Sequence, residues 1–169
     1  SIMYYSLFYG FKNNENKYIK VIKMIAVVQR VYEASVKVDG EIIGSIGNGL
    51  LVFLCVENRD TDDKVTYMSE KILNLRIFED NNGKMSKSLQ DINGDMLIIS
   101  QFTLAGDCSK GRRPDFTEAA KPDAAKETYN KFIEDVSSKI NGNTAIGIFG
   151  ADMKVSLIND GPVTMIIKR

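Results

Sequence analysis

The 169-residue sequence contains no histidine. Without imidazole there is no Ser-His-Asp triad, no histidine general base and no histidine-ligated zinc, so a hydrolytic site here must draw on backbone dipoles, hydroxyls or the substrate's own groups. Cysteine is scarce too. Cys55 in an apolar run and Cys108 in a loop-like stretch are too few for a disulfide framework and, without histidine, make a poor zinc site. No metal and no cofactor are expected, and a reducing, cytoplasmic compartment fits best. No run approaches the ~20 apolar residues of a membrane span, so no membrane partner is expected. Net charge is also lacking, but its zero hides an asymmetry. Lys12, Lys17, Lys20 and Lys23 against Glu15 make the first 23 residues basic and leave 18 basic against 21 acidic residues over 24–169. That slightly acidic body has no broad basic face for DNA, and any RNA must be gripped locally.

What is present suffices for one sizeable core: 44% of residues are hydrophobic and 26% charged, ordinary values for one globular domain. We place that domain at 24–169. Residues 1–23 are Tyr- and Asn-rich, then basic, and lack the features of a secretory signal. They are expected to be a disordered extension, with a tail or weak targeting signal as the alternative.

Short β-rich runs occupy 25–31, 34–38, 41–46 and 50–56, with Asp39-Gly40 as a hairpin turn and Gly47-Asn48-Gly49 as a second break. From Thr61 the period changes. Val65, Met68, Ile72 and Leu75 recur at helical spacing behind Thr61 as cap and Asp62 and Asp63 as first-turn acids. A second helix opens at Pro122-Asp123, lines one face with Ala125, Tyr129, Phe132, Val136 and Ile140, and stops before Gly142. Strands are expected at 76–79 and 96–100 between the helices, and at 145–149, 154–158 and 163–167 after them. Many strands with two helices predict a layered α/β or α+β fold with the helices on one side.

Met96-Leu97-Ile98-Ile99 reads as a strand buried on both faces, and it delivers Ser100, Gln101 and Thr103 where the strand emerges. These polar groups suit a site, and equally suit a loop start that satisfies stray backbone groups. Lys110, Arg112 and Arg113 lie in a glycine-flexed loop fit for phosphate oxygens, or simply for solvent. Gly161-Pro162 combines a permissive residue with a peptide bond that readily becomes cis. It can present carbonyls rigidly, or form a tight turn between the last two strands. Phe149, Gly150 and Met153 read as core and turn residues on composition alone.

Together, five segments in order resemble the D-aminoacyl-tRNA deacylases. They are Gln29-Arg30-Val31, Ser100-Gln101-Phe102-Thr103-Leu104, Gly111-Arg112-Arg113-Pro114-Asp115-Phe116, Gly147 through Met153, and Asn159-Asp160-Gly161-Pro162-Val163-Thr164. The resemblance spans essentially all of 24–169. It implies a single-domain three-layer β/β/α subunit, a homodimer, and hydrolysis of the ester between a D-amino acid, or glycine, and the terminal ribose of tRNA. It further implies that Ser100, Gln101, Phe102 and Thr103 form the catalytic strand end, with the Phe102 and Thr103 N–H groups as oxyanion donors. Either Thr103 or a water assisted by the ribose 2′-hydroxyl is the nucleophile, and the lack of a base favours water. A cis Gly161-Pro162 would enter the partner's pocket to hold the α-amino group and block an L side chain. Arg30 would support it, and Phe149 and Met153 would flank the adenosine or aminoacyl end. Two rivals stay open: a small-ester hydrolase of the same fold, and a module that grips tRNA ends without cutting.

Overall fold

One long, bent strand organises the protein. In the computed structural model, which describes residues 24–57 and 61–169, β1 (Ile25–Val38) pairs antiparallel with β3 (Gly49–Cys55) through its first half and with β2 (Glu41–Ile46) through its second. The sequence pattern suggests two strands here. The structure joins them because register shifts between Gln29 and Glu33 reverse which side of the strand faces which core. Ala26 and Val28 face the helices before the shift, whereas Ala34 and Val36 face the second core after it. Asp39 and Gly40, at φ 50° and 86°, form the expected hairpin turn. The expectation for residues 1–23 lies outside the described residues.

β3 continues in parallel with β6 (Asp95–Ser100), and β6 with β7 (Thr144–Ile146). β7 then approaches β2 without pairing, which nearly closes the sheet. Side chains alternate across β3 and β6. Leu50, Val52, Leu54, Met96 and Ile98 face the helices, while Leu51, Leu97 and Ile99 face the other half of the curled sheet. The continuous apolar run at 96–99 has this cause: both faces of its strand are covered. The helices are α1 (Asp62–Leu73) and α2 (Pro122–Lys139), which insert Val65, Met68, Ile72, Ala125, Tyr129, Phe132 and Val136 into the first core. The three-layer β/β/α expectation holds. Thr61 sits at the α1 N-cap, but its hydroxyl donates to Asp63 rather than accepting from a backbone N–H.

Three boundaries differ from expectation. The strand at 76–79 shrinks to β4 (Phe78–Glu79), paired with an unforeseen β5 (Met85–Lys87). The strand at 145–149 is the shorter β7. The last two expected strands are one, β8 (Lys154–Lys168), antiparallel to β1 over almost its whole length. No tight turn occurs at Gly161-Pro162. Instead Gln29 pairs with Thr164 and Val31 with Asn159, so the four residues 160–163 bulge outward opposite Arg30 alone.

Candidate active site

β6 ends at Ser100, and the chain turns at once into a 3-10 helix, Phe102–Ala105. Its first N–H groups have no intrahelical acceptor. Leu104 N–H reaches Gln101 O at 3.3 Å, but the N–H groups of Phe102 and Thr103 have no acceptor among the described residues. The Gln101 side-chain amide donates to Thr103 Oγ1, and the buried Cys55 thiol donates to Phe102 O at 3.5 Å. The turn is thus tied from both sides while its two leading amides stay free.

Those amides border a cleft of about 280 Å³ lined by Ser100, Gln101, Phe102, Phe149, Asp152 and Met153, among others. Sequence reasoning placed most of these residues together but missed Asp152 and its neighbours Gly150 and Ala151, although all three lie inside a segment that carries the resemblance. Both Asp152 carboxylate oxygens sit within 2.9 Å of Lys154 Nζ, so this group is engaged by a cation. The far wall is braced from the core: Phe149 rests on the buried Tyr129 ring at 5.8 Å, and Tyr129 Oη donates to Ile98 O at 2.9 Å. Burial pushes the Tyr129 phenol well above its usual pKa, so it stays a neutral donor. Ile98 O also accepts from Gly147 N–H at 3.1 Å. Tyr129→Phe is therefore expected to cost about 1 kcal/mol, since the carbonyl keeps one partner. Thermal melting should register a drop of about 2–4 °C, and unchanged melting would show that this brace contributes nothing.

Gly161 and Pro162 are absent from this cleft. Their peptide bond is cis, and both residues are exposed on the β8 bulge. Arg30, 4% exposed, lies behind them. Its Nε donates to Asp160 O at 3.1 Å and lies 3.3 Å from the Asp160 carboxylate, and its Nη1 donates to Ile77 O at 2.6 Å. Gly161 has φ +120°, and a Cβ there would come within 3.0 Å of Arg30 Nη2 and of Val163 Cγ2. Only glycine suits this position. Lys110, Arg112 and Arg113 are exposed on the loop that follows the 3-10 turn, closed at its base by paired N–H···O bonds between Asp107 and Asp115 of 2.7 and 3.0 Å. No group of three or more Cys, Asp or Glu placed to hold a metal occurs among the described residues. No helix among them is long and apolar enough to cross a membrane.

Comparison with known proteins places these features. The family model described as D-Tyr-tRNA(Tyr) deacylase matches residues 27–168. The D-aminoacyl-tRNA deacylase of Clostridium botulinum strain 657 is 57% identical over 144 residues, covering 85% of this chain and 96% of its own. That of Thermosipho africanus is 54% identical with the same coverage. Among solved structures, one titled c-Myc DNA Unwinding Element Binding Protein superposes with a TM-score of 0.80 at 44% identity, covering 85% of this chain and 97% of its own. Another, titled as a probable eukaryotic D-amino acid tRNA deacylase, shares the fold with a TM-score of 0.76 at 20% identity, covering 88% and 100%. The chain belongs to the D-aminoacyl-tRNA deacylase family.

Proposed function

We propose that this deacylase cleaves the ester joining a D-amino acid, or glycine, to the terminal ribose of tRNA, releasing free amino acid and tRNA as a proofreading step in the cytoplasm. The observation that carries the reading is the pair of unpaired N–H groups, Phe102 and Thr103, at the edge of the cleft. An ester carbonyl under attack develops negative charge on oxygen, and fixed amide dipoles stabilise it without reorganising. Attack is by water, helped by the ribose 2′-hydroxyl. Phe149 and Met153 supply the apolar wall against the adenosine or aminoacyl end.

The enzyme works as a homodimer. β8 has 15 residues and pairs only with β1, and it exposes Ile158, Met165 and Ile166. A long apolar edge of this kind calls for a cover, and a second copy also accounts for an exposed Gly161-Pro162 that its own cleft does not use. The carbonyls of this bulge, anchored by Arg30, hold the α-amino group in the partner's cleft. Chirality is read by exclusion, because the amine is common to both enantiomers whereas a clash on one side of Cα is not. Glycine, with no side chain, passes. Lys110, Arg112 and Arg113 contact acceptor-end phosphates. Binding of duplex DNA, suggested for one structural relative by its title, is not favoured by 18 basic against 21 acidic residues over 24–169.

Matched D-Tyr-tRNA and L-Tyr-tRNA test the reading. Rapid release of D-tyrosine with at least about a hundredfold slower release of L-tyrosine is expected, which corresponds to about 2.8 kcal/mol of clash. Equal rates would sink the chiral filter, and release from neither would sink the deacylase itself.

A further inference from the structure

We propose that Phe116, together with Phe102, forms a stacking platform outside the cleft for the base that precedes the terminal adenosine; this rests on the tRNA reading above. Two large aromatic rings stand in the open here: Phe102 is 58% and Phe116 37% exposed. They meet edge to face, with centroids 5.3 Å apart and planes at 66°. Neither belongs to a hydrophobic core cluster. Exposed aromatics grouped this way mark a contact surface more often than a packing leftover.

Three further observations select single-stranded RNA as the occupant. Phe102 itself lines the cleft, so the platform continues its rim. The cleft, at about 280 Å³, is at the small end for a nucleoside-sized ligand. It takes the aminoacyl-adenosine end, and the preceding nucleotide must lie outside along that rim. Finally, the loop carrying Phe116 also carries Lys110, Arg112 and Arg113. The nearby carboxylates are turned onto the loop's own groups: Asp107 accepts from Ser109 N–H at 2.9 Å, and Asp115 accepts from Thr117 N–H at 2.9 Å. Cations beside aromatic faces are the pattern that grips single strands, with stacking that tolerates any base.

Gly106 sets the position of the platform. A Cβ there would stand 2.8 Å from Phe116 Cε1, so the absent side chain lets the ring settle against the turn. The backbone of Gly106, φ −64° and ψ 121°, is one that alanine adopts freely. Gly106→Ala therefore displaces the ring without straining the chain.

The test compares three substrates: D-tyrosyl-tRNA, a D-tyrosyl ester of the dinucleotide CpA, and a D-tyrosyl ester of adenosine alone. With Phe116→Ala, KM should rise about tenfold for the first two and stay unchanged for adenosine, with kcat unaffected throughout. Phe116→Trp should preserve all three, and Gly106→Ala should reproduce the Phe116→Ala pattern. An equal change on all three substrates, no change on any, or a change only in dimer dissociation would overturn the platform; the last would make the patch a protein interface. A wild-type enzyme inactive on all three would instead overturn the deacylase reading and the platform with it.

Discussion

Removing the 2′-hydroxyl from the terminal ribose is expected to lower single-turnover cleavage of D-tyrosyl-tRNA about 10²- to 10⁴-fold, the usual range for a positioned proton-transfer group. Replacing Thr103 by valine should lower it less than tenfold. The two expectations follow from one gap in the chemistry. The sequence has no histidine, and the carboxylate lining the cleft, Asp152, is ion-paired to Lys154. The Thr103 hydroxyl receives a hydrogen bond from the Gln101 amide, which is a donor and cannot take the hydroxyl proton. A threonine nucleophile thus has no activating base, whereas the vicinal hydroxyl of the substrate sits beside the reacting ester by construction. Thr103→Val keeps the branched shape and the N–H donor while removing only the hydroxyl. Because the 2′-hydroxyl also alters intrinsic ester reactivity, the enzymatic ratio is taken against hydroxide-catalysed hydrolysis of the same two esters. Full activity on the deoxy substrate combined with an inactive Thr103→Val enzyme would assign the nucleophile to Thr103.

The sequence exposed the two ends of this site more readily than their relation. Ser100 through Thr103 follow an apolar run, and the end of a strand buried on both faces is legible from composition. The 3-10 turn that frees the Phe102 and Thr103 amides is not, because four residues carry too short a period to announce a helix. At the other end, Gly161-Pro162 read as a reversal of direction since both residues favour turns. The reversal is absent because Arg30 reaches across the ladder to Asp160 O and Ile77 O, which stabilises an outward bulge within one continuous strand. That contact joins residues 130 positions apart in the chain, and local propensity carries no trace of it. The fused β1 is the same case: a register shift at 29–33 changes the buried face, and a reader of alternation sees two strands.

The bulge also yields the test with the sharpest contrast. Phe102→Pro removes one free amide at the first position of the 3-10 turn, where proline is tolerated, and should reduce kcat about 10²- to 10³-fold. Gly161→Ala forces a side chain into φ +120° against Arg30 Nη2 and Val163 Cγ2. The bulge must shift to relieve it, and a displacement of its carbonyls by about 1 Å should cost about a hundredfold in turnover. Each variant alone is nearly inactive. If a cleft from one protomer is completed by the bulge of the other, a hybrid dimer contains one site with an intact turn and an intact bulge, and a second site with both defects. Random reassociation of an equal mixture makes half the dimers hybrid, so activity should return to about a quarter of wild type. Two variants whose defects lie in the same protomer's site cannot rescue each other in this way. Recovery also shows that both chains fold, since a misfolded partner supplies no bulge. Both variants melting as native-mass dimers, yet showing no gain on mixing, would place Gly161-Pro162 outside the catalytic cleft altogether.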